Sequence, residues 1–362
     1  MTEVFSPTDS RARIADWVEL QALLSPQPSK ITSARLVRAV NIIDDPVRDD
    51  EDEDRQGDVE FDSDLQGDRG ILNTVDENLS LRVFEELQFR SSVLEDQYPF
   101  DLAVTGQNWY LIRRVRPFQT SDGFAHLFYV AALLITAIKY EYLTIAEDDE
   151  LRKAMPELMQ VMAVLVAAEY VNGEVYWMGW PRPDDSSKFL DALNRLITRI
   201  SVGRLISSNP AYDPEVVKDG SVDLVAWRSF KDGKPGKTVL YGQVASGKNW
   251  RSKPLHATMD PNFVGWFQNG PTNERMLSMF IPFMQHEDCK PKKTQVYDEL
   301  SLARAEKDER TMGIIFDRLR ITELAPAVNE RLSDLSLSTG IDFKTYVERI
   351  HTWQRDLLAG VR

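Results

Sequence analysis

An α+β architecture, with a mixed-sheet core flanked by helical N- and C-terminal regions, is what this sequence predicts. Three observations lead there. The stretch Val222–Lys253, VDLVAWRSFKDGKPGKTVLYGQVASGKNWRSK, reads as two strands joined by a glycine- and lysine-rich turn. Helical periodicity dominates both before and after it. Within 186–284 the elements follow the order helix, strand, strand, helix, strand.

Taken in order, Ser10–Leu24 carries Ile14, Trp17, Val18 and Leu20 at helical spacing, with Ser10 as N-cap. A short helix is expected over Ser33–Val40 and another over Leu79–Val93, followed by a strand-like run at Trp109–Arg113. Gly123–Leu143 and Glu150–Ala168 are strongly apolar helices that read as a buried pair. The run Trp177–Pro183, WMGWPRP, breaks the pattern and marks a domain boundary. Beyond it, Ser186–Ile200 is amphipathic, with Phe189, Leu193, Leu196 and Ile197 on one face. The hairpin strands Val222–Phe230 and Thr238–Ala245 follow, then a short helix at Asp260–Gln268 and a buried strand at Met276–Met284. Tyr297–Arg362 reads as helices. The expected domains are a helical segment at 1–43, an acidic flexible linker at 44–72, a helical domain at 73–180, the mixed-sheet core at 181–290 and a helical region at 291–362.

Composition narrows the class. The 35 aromatic residues and 43% hydrophobic content supply apolar material for folded cores. The single cysteine, Cys289, excludes an intramolecular disulfide, and the four histidines show no zinc-ligand spacing. The N-terminal MTEVFSPTDS lacks the order of a signal peptide. The longest apolar run, Leu127–Ile138, is shorter than the roughly 20 residues that span a bilayer. A cytoplasmic protein without a membrane partner is expected. Residues 44–68 hold 13 acids and two arginines, a net of −11 within the chain's −14. That tract reads as a solvated linker, or alternatively as a nucleic-acid mimic. The hairpin region, by contrast, is basic: Arg228, Lys231, Lys234, Lys237, Lys248, Arg251 and Lys253 stand against Asp232 alone.

Two chemistries compete for the hairpin. GQVASGKN approaches the phosphate-binding P-loop, but Asn249 stands where a hydroxyl residue should hold magnesium. A P-loop also needs a helix at once, whereas NWRSKPLHATMDP has Pro254 and no apolar stripe. The other chemistry is metal-dependent phosphodiester cleavage. It needs oxygen ligands for a divalent ion and a cation for the developing charge. Asp223 offers a carboxylate, Gln243 a neutral carbonyl oxygen and Lys248 the cation, so Asp223 and Gln243 are the candidate metal ligands for Mg2+ or Mn2+. Lys231, Lys234, Lys237, Arg251 and Lys253 are candidate phosphate contacts, against the plainer reading of a solvated turn. Asp223 also reads as a turn residue beside glycine. Trp227, Trp250 and Trp266 read as core rather than as base-stacking rings.

DGSVDLVAW followed by VLYGQVASGKNW resembles the core of the PD-(D/E)XK nuclease superfamily, the restriction-endonuclease-like fold, over roughly residues 185–285. Asp223 matches that family's metal-binding aspartate. Gln243 stands where its second acid falls, as in Mrr-like, modification-dependent enzymes. Ala245 departs from the pattern by replacing the lysine, a role left to Lys248. Ser186–Ile200 matches the family's first core helix, with Asp191 as its helix carboxylate, and MLSMFIPFM its last core strand. The resemblance implies a magnesium-dependent DNA endonuclease of a restriction or anti-phage defence system. A catalytically silent nuclease fold that binds DNA or a protein partner is the alternative. The helical regions would offer the docking surface for such a protein.

Overall fold

The structure, a computed structural model, describes residues 10–25, 31–32, 64–106, 108–183, 188–206, 220–271, 274–290 and 296–360. The expected helix at Ser33–Val40 and the acidic tract as far as residue 63 lie outside the described residues. The mixed α+β class holds, with helices flanking a mixed sheet. The chain divides into two compact units, Met1–Val93 with Phe100–Arg114, and Leu94–Pro99 with Val115–Arg362.

The first unit contains α1 (Arg11–Leu24), β1 (Ile31–Thr32), α2 (Asp64–Leu94), β2 (Phe100–Thr105) and β3 (Asn108–Arg113). The strands form an antiparallel sheet in the order β1-β3-β2. Ser10 caps α1 by accepting from the Arg13 amide. Ile14, Trp17, Val18 and Leu20 are buried, and so are Asp16 and Glu19 on the same helix. Their charges meet Arg90 of α2, which has no exposed surface. The Arg90 guanidinium donates to Asp16 at 2.7 Å, Glu19 at 2.9 Å, Glu86 at 2.9 Å and the Ala12 carbonyl at 2.9 Å. Residues 64–68 open α2, so the expected flexible linker at 44–72 gives way to helix at its C-terminal end.

The second unit is built on a five-stranded sheet, β10-β9-β7-β6-β4. Its strands are β4 (Glu174–Trp177), β6 (Leu224–Arg228), β7 (Thr238–Val244), β9 (Met276–Phe280) and β10 (Ile314–Phe316). β4, β6 and β7 run antiparallel in turn, while β7–β9 and β9–β10 are parallel. Parallel neighbours require crossovers. α6 (Leu255–Asn262) lies between β7 and β9, and α7 (Tyr297–Met312) between β9 and β10. The second crossover ends at Gly313, with φ of +81°. A Cβ there would meet the Leu277 carbonyl oxygen at 2.1 Å, so glycine is obligatory at this close backbone approach.

One sheet face carries Tyr176, Val225, Trp227, Val239 and Tyr241. Against it pack Phe189, Leu193 and Leu196 of α5 (Phe189–Ile200), with Leu255, Met259, Phe263 and Trp266. The expected helix at Asp260–Gln268 is displaced. It runs earlier, over α6, and residues 264–269 instead form a tight turn and β8 (Phe267–Asn269), which pairs with β5 (Arg204–Leu205). α4 (Glu150–Tyr170) packs against β4, β6 and β7. α3 (Ser121–Lys139) packs against α8 (Arg318–Thr339), and α9 (Phe343–Gly360) adjoins α3, α4 and α8. The apolar pair expected at 123–168 is therefore core. α3 is long and apolar enough to cross a membrane, and 89% of its apolar window is buried inside the protein.

The boundary drawn between 180 and 181 falls inside one domain. Glu174–Trp177 is the outer strand of the sheet that holds the hairpin, paired as Trp177↔Leu224. Four residues are too few for period-2 alternation to register.

Candidate active site

The site forms where β6 and β7 part. Gly220 and Ser221, both at positive φ, turn the chain into Val222 and Asp223. The Asp223 amide donates to the Gly242 carbonyl at 2.8 Å, and its own carbonyl accepts from Met178 and Gly179 at 2.8 and 2.7 Å. This single residue therefore bridges the ends of β4 and β7. The residue is 8% exposed, and its Oδ2 accepts from the Val244 amide at 2.7 Å. Asp223 precedes β6 at an irregular step, where its amide bonds the residue that pairs with Leu224, and its Oδ1 lies toward Gly179 and Gln160 on the Trp177 side of the sheet. Gln243 lies on the same face as Tyr241. Gln243 Oε1 is shut away from solvent with no hydrogen-bond partner.

The oxygen that lies beside Asp223 comes from a residue that the sequence reading passed over. Gln160, on α4, accepts from Trp177 Nε1 through Oε1 at 2.6 Å and donates from Nε2 to the Trp180 carbonyl at 3.4 Å. Its signal in the sequence was a lone amide in the apolar run ELMQVMAVL, because a buried amide must be satisfied somewhere. Gly179 joins the two sides. A Cβ at Gly179 would sit 2.5 Å from Gln160 Oε1 and 2.8 Å from Asp223 Oδ1. The space between these oxygens exists because residue 179 has no side chain.

The remaining site candidates go elsewhere. Ala245 is buried beside Trp250, Met279 and Ile281, with Tyr140 against the same cluster. Lys248, half exposed, turns toward the end of α3: Nζ lies 3.9 Å from Glu141 Oε1 and 5.1 Å from the centre of the Tyr140 ring. Its charge falls near Lys139, whose ammonium is held below its usual pKa by burial first, and then by Arg152 and Lys248. Asp191 is exposed on α5, and the helix amide that reaches Asp223's surroundings is Gln160 of α4.

The bases divide into two kinds. Lys231, Lys234 and Lys253 are exposed, and Lys234 is held loosely by Asp232 within the turn. Lys237 donates to the Ile200 carbonyl and so ties the hairpin to α5. Arg251 is a structural clamp. It grips Asp308 of α7 with two nitrogens at 2.9 Å, donates to the Gln285 carbonyl at 2.6 Å, reaches Asp288 at 3.2 Å and stacks on Trp250 at 4.0 Å. Arg251→Ala should cost about 2–3 kcal/mol in urea denaturation, because it leaves Asp308, itself nearly buried, without its fork. The salt dependence of any DNA affinity should not change. A flatter salt slope with unaltered stability would return Arg251 to the phosphate contacts. Trp227, Trp250 and Trp266 are fully buried, as core residues are.

The exit of β7 also bears on the P-loop. Residues after Gly247 form a turn and one 3-10 turn, Trp250–Ser252, and the next α-helix begins only at Leu255 after Pro254. No helix N-terminus is presented at Lys248, so the amides that a P-loop uses to hold phosphate are not aligned there.

The donors fit a hard divalent ion in kind. Asp223 brings a carboxylate, Gln243 an orphaned buried carbonyl oxygen and Gln160 an amide oxygen beside the gap at Gly179. Among the described residues no group of three or more His, Cys, Asp or Glu converges on one point. One carboxylate is the low end of what holds magnesium, which commonly completes its shell with water and substrate phosphate. No family model, curated protein or solved structure matches this chain.

Proposed function

We propose that this chain is a metal-dependent DNA endonuclease of the restriction or anti-phage defence kind. The observation that supports the reading is a buried carboxylate, Asp223, fixed by the Val244 amide at the strand ends, with the unpartnered Gln243 Oε1 on the neighbouring strand. The order of strands supports it: two antiparallel pairings followed by a parallel one, with a helix inserted before the parallel strand, agree with the mixed core that the sequence resemblance implies.

Asp223 and Gln243 would hold a magnesium or manganese ion. When bound, such an ion supplies charge neutralisation at the phosphodiester and acidifies a water. The chain's own contributions are distinct. The Val244 amide fixes the Asp223 carboxylate in orientation. Trp177 fixes Gln160 through its indole N–H. Lys248, on a long flexible stem, is the nearest candidate cation to the strand exit, and reaching the phosphate requires it to leave Glu141.

A second reading is favoured by a specific observation. Ala245 occupies an apolar cluster where the family places its lysine, and Lys248 is directed at Tyr140 and Glu141. A silent nuclease fold that binds DNA or a partner accounts for both. Supercoiled plasmid incubated with Mg2+ or Mn2+ separates the two. The endonuclease reading expects nicking by wild type and a loss of at least about a hundredfold in both Asp223→Ala and Lys248→Ala. Full cleavage by Lys248→Ala would remove Lys248 from the site. No cleavage by wild type with either ion would leave the silent fold as the account.

A further inference from the structure

The hairpin that carries Asp223 at one end presents a different surface at the other. β6 ends where Arg228 pairs with Thr238, and residues 229–237 join the two strands. Residues 228–236 are all exposed, and Phe230 among them is open at 68%. Phe189, Phe263 and Phe280 of the same unit are buried. A lone exposed apolar side chain is ordinary, and what sets this one apart is its company. Arg228, Lys231 and Lys234 flank it, all exposed. Asp232, the acid of the tip, lies 4.0 Å from Lys234 Nζ.

The tip is built rather than slack. The Gly233 amide donates to the Phe230 carbonyl at 3.2 Å and closes a turn that starts at the ring-bearing residue. The Lys234 amide donates to Asp232 Oδ1 at 3.1 Å. Lys237 anchors the returning chain by donating to the Ile200 carbonyl of α5. Phe230 and Lys231 are thus presented with little ordering left to be done on binding.

We infer that this tip grips a single-stranded stretch of DNA, with Phe230 stacked on an unpaired base and Arg228, Lys231 and Lys234 against the phosphates. The inference rests on the reading of this chain as one that engages DNA, and it holds for the silent fold as well as for the nuclease. A DNA strand offers both a flat apolar face and a negative charge at each repeat. A paired base hides its face in the stack, so the ring needs one that is unpaired. A lipid surface fits less well, because one ring provides little apolar area to insert and Asp232 would meet anionic headgroups. Phe230 follows Asp223 by seven residues, roughly 20 Å along an extended strand. The tip therefore holds substrate without touching the reacting bond.

The test uses the full chain in EDTA, so that nothing is cut, and reads fluorescence anisotropy of two labelled probes. One is oligothymidylate, and the other an abasic strand of equal length with its phosphates kept. Phe230→Ala should bind oligothymidylate about tenfold more weakly than wild type. Phe230→Trp should bind it as well as wild type does, since it restores a stacking face. On the abasic strand, wild type and Phe230→Ala should bind alike. Lys231→Gln combined with Lys234→Gln should instead flatten the salt dependence by about 1.4 in the log–log slope, at about 0.7 per phosphate contact. A loss in Phe230→Ala that extends equally to the abasic strand overturns the inference, because the ring's role is then structural. Equal binding of oligothymidylate by wild type and Phe230→Ala overturns it too, as does no binding by wild type. Retention on phosphatidylserine vesicles that Phe230→Ala loses, with oligothymidylate unbound, assigns the tip to a membrane surface instead. Unaltered binding in Phe230→Ala beside normal plasmid cleavage strikes the tip alone. Phe230-dependent binding by a wild type that cuts nothing strikes the nuclease reading alone.

Discussion

Arg90→Met should unfold the first unit while leaving the five-stranded sheet intact. The guanidinium is wholly buried and serves Asp16, Glu19, Glu86 and the Ala12 carbonyl at once. Removing it takes from those buried carboxylates the guanidinium that they share, and Arg11, 3.4 Å from Glu86, cannot serve all three at once. Breaking a buried pair from one side typically costs about 3–5 kcal/mol, because the surviving charge remains desolvated. That is comparable to the whole stability of a small unit. Arg90→Lys should not rescue it, since a single ammonium cannot reach four acceptors set around a planar fork. Hydrogen exchange read by mass spectrometry resolves the two units: peptides from α1 and α2 should lose protection, and those from β7 and β9 should keep it. Unaltered protection in α1 would mean that the carboxylates are satisfied without Arg90.

Gly179→Ala should cripple the candidate site with little change in melting temperature. The added methyl would fall 2.5 Å from Gln160 Oε1 and 2.8 Å from Asp223 Oδ1, closer than such atoms approach. Both are side-chain ends, so the backbone need not move. Gln160 must then give up Trp177 or Asp223 must rotate off Val244. Displacing the groups that orient ligands commonly costs 10–100-fold in metal affinity or activity. Expected results are a cleavage rate down by about that factor, a raised Mn2+ concentration at half-maximal effect, and a melting temperature within a few degrees of wild type. Wild-type cleavage and Mn2+ dependence in Gly179→Ala would show that the ion, if there is one, sits elsewhere.

The long elements were legible in the sequence for a physical reason. α1, α3, α4 and the hairpin each carry many turns or alternations of pattern, so periodicity averages out local noise. β4 and β10 have four and three residues, too few to show a period, and WMGWPRP drew attention to its tryptophans and prolines as a break. That hid the strand on which Trp177 stands, and with it Gln160. Asp223 and Gln243 could be named because a polar residue at the end of an apolar strand is conspicuous. The intrachain contacts of Arg251 and Lys237 were not legible, because charge alone does not say whether a base faces solvent or clamps its own chain. Their partners, Asp308 and the Ile200 carbonyl, lie 57 and 37 residues away. Lys248's direction likewise depends on Tyr140 and Glu141, which no local pattern ties to it.

The packing of α3 bears on how the protein emerges from the ribosome. α3 is covered chiefly by α8, and its Leu127 carbonyl accepts from Gln354 of α9. Those helices begin at Arg318 and Phe343, so an apolar helix ending at Lys139 must wait for partners translated much later. At bacterial or eukaryotic elongation rates of about 5–20 residues per second, the delay is on the order of 10–40 s. During that interval the nascent chain shows a long greasy surface to solvent, which is the signal that holdase chaperones read. Yield in a heterologous host should therefore respond more to chaperone supply and translation speed than to any single substitution at the surface.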